Sequence, residues 1–347
     1  MSTRPPIRFS SCSLSTAVCL ICLGLHGLAP AATRAEDSVT YRSKETGQEV
    51  TRKGTIVEYT GTELTLEVGM GRETKIASEM VINVQSDWTE SHKLGMQLFD
   101  KGDSIAADEA FSKALGEEKR QWVLRQIISW RVLCRLGLER NELAVDDFLR
   151  LLNADPNTQY YSVIPLNWQT REIKGSLLAS AQKWLDSDSS MEQLIGASWM
   201  FSTSSRSKAE SLLKKLANHT DPRIAFLATA QIWRAQAVTA TAADFQKWQT
   251  IIERMPADLR PGPLFVCGDS MLKRGQDVDE SILLMLRVPL LYSQHSQLAA
   301  MSLFEAATAL RKNQRDEEAE ILLRQLIAEH PQSPFAAEAR AALNAIQ

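Results

Sequence analysis

The stretch from Asp87 to Lys119 constrains the chain most. It reads as two short helices lying against each other, with Leu94, Gly95 and Leu98 expected to face inward on the first and Ala107, Phe111 and Ala114 on the second. Gly95 and Ala107 matter mechanically, because small residues at a helix crossing let two backbones approach. A pair this short cannot bury its own apolar face, so further pairs must stack on it.

The pattern returns twice. From Trp122 to Pro156 it comprises Trp130, Leu133, Gly137, Ala144, Phe148 and Leu151, with Asp155-Pro156 as a stop, and it fits if the inter-helix turn carries two extra residues. From Ala300 to Pro331, Leu303, Ala307 and Leu310 line one helix and Ala319, Leu323 and Leu326 the next. Phe335 to Ile346 then supplies the terminal helix a stack of repeats needs. Between Tyr160 and Gln297 the units are degenerate. Pro165, the Ser/Thr-rich Phe201 to Ser207, and Arg260-Pro-Gly-Pro263 are expected to break helices there. Apolar spacing of three and four continues, as in Ile173, Leu177, Ala181 and Trp184. Asp87, Ser189, Ser207 and Asp277, each with Glu three residues on, read as helix starts, as does Asp221 before Pro222.

Residues 37–86 follow a different rhythm. Thr55–Tyr59, Glu63–Val68, Glu73–Ile76 and Met80–Val84 are short, partly alternating runs rich in β-branched residues, separated or flanked by glycines. Asp37–Tyr41 could add a fifth strand. Five short strands with a glycine hairpin after Val68 predict a small curled sheet or SH3-like barrel. Its order is similar to that of Sm-like barrels. Such a module would cap the helical stack or offer a second docking surface, and the cap is the preferred reading.

Residues 1–35 have the pattern of a secretory signal: Arg4 and Arg8, the uncharged apolar run Leu14 to Leu28, and small residues for cleavage at Ala29-Pro-Ala31 or Thr33-Arg-Ala35. Removing them leaves 36 basic against 42 acidic residues, a net charge of −6. An exported, mildly acidic product gains nothing toward nucleic acid from its overall field, so no nucleic-acid partner is expected. No membrane span is expected after cleavage. Cys134 and Cys267 then remain; they could pair in an oxidising compartment, but packing as small hydrophobes is the better reading.

Residues 88–156 and 300–347 resemble tetratricopeptide-repeat (TPR) units of exported bacterial proteins, built on helix pairs of about 34 residues. The resemblance implies a mainly α fold, a TPR-like α-solenoid of antiparallel helix pairs behind the small SH3-like or Sm-like β-barrel module. Its divisions are 1–35 signal, 37–86 β module, 87–156 TPR-like repeats, 157–297 degenerate repeats, and 298–347 the last repeat with its capping helix. It further implies a non-catalytic interaction scaffold in the periplasm or cell envelope, holding a peptide or partner protein in a groove and needing no cofactor. The family's groove positions, carried over, are His92, Met96 and Phe99 in the first unit and Phe304, Thr308 and Arg311 in the last. His92 and Met96 stand where the carboxylate-clamp members have Lys and Asn, so a mixed or apolar groove fits better. Met96 and Phe99 could equally pack against the β module or the next repeat. The alternatives are ligand or nucleic-acid binding through the β module and, further off, an envelope hydrolase.

Nothing in the sequence favours chemistry. There is no Gly-x-Ser-x-Gly, His-Glu-x-x-His, phosphate-binding glycine loop or dinucleotide fingerprint. His92, His219, His295 and His330 have no ligand spacing and read as solvated; no metal site is expected. Most of the eight tryptophans sit in helical apolar patterns and read as core, while Trp168, after Pro165, is a candidate surface residue.

Overall fold

The computed structural model describes residues 36–344 apart from 70 and 171. The signal-like segment and its cleavage sites therefore lie outside the described residues. Among the described residues the fold is mainly helical, with 14 helices and a small five-stranded antiparallel sheet at the N-terminal side. The chain divides into two compact units between Trp88 and Thr89. Among the described residues no helix is long and apolar enough to cross a membrane.

The first unit contains β1 (Asp37–Arg42), β2 (Glu49–Tyr59), β3 (Glu63–Val68), β4 (Arg72–Ala77) and β5 (Val81–Gln85), in the order β4-β3-β2-β1-β5. A 3₁₀ turn, Ser78–Met80, precedes β5. Val39, Ile56, Leu64, Leu66 and Ile76 alternate inward and form its core. The strand expected to begin at Thr55 instead runs through Gly54. There β2 stops pairing with β1 (Asp37↔Gly54) and starts pairing with β3 (Thr55↔Glu67). A Cβ at Gly54 would lie 2.2 Å from the Glu67 carbonyl oxygen, so the glycine permits the handover and does not end the strand. Buried Asp37 pins the same point, its carboxylate accepting the Ile56 N–H at 2.7 Å.

The second unit pairs α1 (Glu90–Asp100) with α2 (Ser104–Glu117), and α3 (Gln121–Gly137) with α4 (Asn141–Ala154). After an irregular stretch come α5 (Gly175–Leu185), α6 (Ser190–Met200), α7 (Arg206–Leu216), α8 (Pro222–Gln236) and α9 (Ala242–Arg254). It ends with α10 (Pro261–Lys273), α11 (Val278–Leu291), α12 (Ser296–Lys312), α13 (Asp316–Glu329) and α14 (Pro334–Asn344). Glycines mark the tight crossings: a Cβ at Gly95 would meet Phe111 at 2.6 Å, and one at Gly196 the Leu185 backbone at 2.2 Å.

One turn is used repeatedly. At Gly102, Glu139, Gly275 and Gln314 the backbone is left-handed, with φ of 75°, 54°, 65° and 60°. Each donates to the carbonyl three residues back, and each following residue to the carbonyl five back (Asp103→Leu98, Arg140→Arg135, Gln276→Met271, Arg315→Leu310). This closure satisfies the last carbonyls of α1, α3, α10 and α12 alike. The α10–α11 hairpin, inside the degenerate stretch, thus shares the turn of the clearer pairs.

Several sequence expectations are corrected. The α3–α4 turn has no extra residues; the additional length sits in α3, 17 residues against 11 in α1. Leu94 is 50% exposed, because the face toward α2 is set by Ser91, His92 and Gly95. The cap of α1 is Thr89, not Asp87, and Ser207 lies inside α7. Pro261 and Pro263 occupy the first turn of α10, where missing N–H groups cost nothing. The end of the chain also meets its first two pairs: Gln332 Nε2, after α13, donates to Asp103 before α2 at 2.7 Å, and a Cβ at Gly137 of α3 would lie 2.8 Å from Ser296 Oγ of α12.

Candidate functional site

The irregular stretch between α4 and α5 is the most unusual part of the helical unit. A surface loop would normally be wet. Here Tyr161, Val163, Ile164, Leu166 and Trp168 are all buried. At about 2 kcal/mol for each large apolar side chain, their burial contributes on the order of 10 kcal/mol. Trp168, expected at a surface, is only 8% exposed. Its indole lies on α10, where a Cβ at Gly262 would come within 2.1 Å of the ring. Tyr161 stands edge-on to Phe148 of α4 and under the Arg223 guanidinium of α8.

With no ladder partner, the backbone of this stretch is satisfied by short-range turns as far as Leu166 and by side chains around Pro165 and Asn167, as a buried chain requires. Trp199 Nε1 donates to the Pro165 carbonyl at 3.0 Å. The Asn167 N–H donates to Ser198 Oγ at 3.1 Å, and its carbonyl accepts from Gln231 Nε2 at 3.1 Å and Arg234 Nη1 at 3.0 Å. Arg234 also donates to the Ser198 and Gln169 carbonyls and to Gln231 Oε1, and stacks over Phe201. None of these partners is a carboxylate. Burial, with Arg206 nearby, lowers the Arg234 guanidinium to about 9. α6 and α8 thus grip an extended chain by its backbone, and the chain is the protein's own.

Beside this strap lies a cavity of about 170 Å³. Its walls are the α3–α4 turn, residues 166–169 and 172–174 of the strap, Leu177 of α5, Trp199 of α6 and the start of α12. A second hollow, between the strap and α3, α10 and α12, holds only about 30 Å³, room for roughly two waters.

The groove positions named from the resemblance are distributed over two helices. On α1, His92 is fully buried with its ring edge-on to Phe111, Phe99 packs edge-on to Trp130 at 5.0 Å, and Met96 is half-buried. On α12, Phe304 leans on Phe335 of α14, Thr308 is half-buried, and Arg311 reaches toward Asp316 at 3.9 Å. The strap-gripping residues Ser198, Trp199, Gln231 and Arg234 were not anticipated. Their signal is polarity inside apolar helix faces, such as Gln231 between Ala228 and Ile232.

The histidines are corrected too. His92, His295 and His330 are buried, and burial lowers each to about 4, leaving neutral rings at neutral pH. Cys134 and Cys267 are free and buried, with burial pushing both thiols up, Cys267 to about 12. Inert packing follows. Among the described residues no group of three or more His, Cys, Asp or Glu is placed to hold a metal. No known protein-family model matches the chain, and no curated protein does.

Proposed function

We propose that this chain is a non-catalytic interaction scaffold of the bacterial cell envelope, a TPR-like solenoid behind an SH3-like β module, acting on a peptide or protein partner. The observation that carries this reading is the grip of α6 and α8 on an extended backbone, the contact type by which a helical array takes a peptide. The shared turn of four helix hairpins supports the repeat assignment. The long shared β2 and the 3₁₀ turn before β5 support the SH3-like one. Arg4, Arg8 and the apolar run after them support export. With the strap occupying its own seat, partner contacts fall on half-buried positions such as Met96, Thr308 and Arg311. Crosslinking in the envelope fraction tests this, comparing the wild-type chain with a Met96→Asp, Arg311→Glu variant whose fold is checked by circular dichroism. The reading expects one reproducible partner, lost in the folded variant; unchanged capture contradicts those contacts.

A further inference from the structure

The scaffold reading leaves the cavity beside the strap unused. Its size and lining point to a ligand of definite chemistry. At about 10–15 Å³ for each water-sized occupant, 170 Å³ admits about a dozen non-hydrogen atoms. That is one six-membered sugar ring with its hydroxyls. Four carboxamide residues line it, Asn141 from α4, Asn167 and Gln169 from the strap, and Gln297 from α12; Asn167 Oδ1 already accepts the Gln169 N–H at 2.9 Å, and exposed Glu139 of the α3–α4 turn adds one carboxylate acceptor. A carboxamide both donates and accepts, the pairing a hydroxyl needs, whereas a carboxylate only accepts and an ammonium only donates. Trp168 and Trp199, 8% and 6% exposed, add the small free parts of their indoles to the wall, apolar surface of the kind that meets a ring's C–H groups. At the rim the Lys174 ammonium is paired with Glu172 at 3.3 Å, so it is not waiting for an anion. The walls are also held in place. Trp199 is fixed by its bond to the Pro165 carbonyl and Trp168 by its seat on Gly262, so little ordering is required on binding.

We propose that this cavity binds a single neutral hexopyranose unit, with the four carboxamides reading its hydroxyls and the two indoles flanking its ring. The site is independent of any protein partner and stands or falls separately from the scaffold reading.

Ligand-observed NMR and tryptophan fluorescence on the full chain test it, using glucose, galactose, mannose and N-acetylglucosamine with their methyl glycosides. Saturable binding of at least one sugar is expected, with Kd on the order of 1 mM for so small a ligand. Gln297→Leu, which keeps bulk but removes the amide, should weaken it about 10-fold. Gln297→Trp, which fills the cavity, should abolish it in a chain that circular dichroism shows folded. Binding of the free sugar alone indicates a soluble ligand; equal binding of the methyl glycoside indicates the end of a glycan chain. The proposal is overturned if no sugar in the panel saturates the wild-type protein, if the filled variant binds as well, or if tetramethylammonium displaces the sugar at lower concentration.

Discussion

The outer hairpins and the strap are stabilised in opposite ways. In α1–α4 and α10–α13 the information is local: small residues at crossings, apolar residues at three and four, and one turn closed by the same two hydrogen bonds. The strap has no such periodicity. Its order comes from residues far along the chain, with Arg234 reaching back 67 positions to the Asn167 carbonyl. A repeat hairpin therefore tolerates the loss of any one contact better than the strap does, because its contacts are many and similar.

The largest expected effect is at Arg234. Arg234→Ala removes the guanidinium bonds to the Asn167, Ser198 and Gln169 carbonyls, leaving Asn167 only its bond from Gln231, and opens a cavity in a buried site, and should cost about 4 kcal/mol in urea unfolding. The contrasting outer-hairpin change, Arg315→Ala, removes solvent-screened ion pairs to Asp279 and Glu318 and should shift the urea midpoint far less than Arg234→Ala does. Equal costs would erase the distinction.

Acid should weaken both regions through their buried histidines. Folded values near 4 lie below the ordinary 6.5, so the unfolded chain takes up protons first. Stability is complete above about pH 6.5 and is lost as pH falls toward 4, by about 2 kcal/mol per histidine at pH 5. His295, beside the strap, and His330, closing α13, should contribute similarly, and replacing both with Asn should reduce the slope between pH 7 and 5, leaving the share of His92. An unchanged slope would refute their neutral burial.

The smallest effect concerns the shared turn. Gln314 holds a left-handed φ of 60° that glycine adopts without steric cost. Gln314→Gly should raise stability by up to about 1 kcal/mol in thermal unfolding; a loss would mean the side chain matters more than the backbone.

The hairpins and strands were legible because their signals are local. Phe111 opposite Gly95, and Leu64 and Leu66 alternating along β3, announce burial within a few residues. Gly54 misled because a glycine that allows close backbone approach looks the same, in sequence, as one that ends a strand. The buried histidines and Trp168 were illegible because their burial depends on neighbours distant in sequence, such as Gly262 for Trp168. Pro165 announced a break in helix but not that the broken segment lies inside.

Hydrogen exchange across residues 160–174 is the most direct test of that segment. The account predicts that the amides of Ile164, Leu166, Asn167 and Gln169 are protected to a degree comparable with α6 and α8, though they belong to no regular element. Arg234→Ala should release them while the α12–α13 hairpin stays protected. Exchange in the wild-type chain as fast as that of the exposed turn at residues 44–47 would show the strap to be a loose loop and contradict the account.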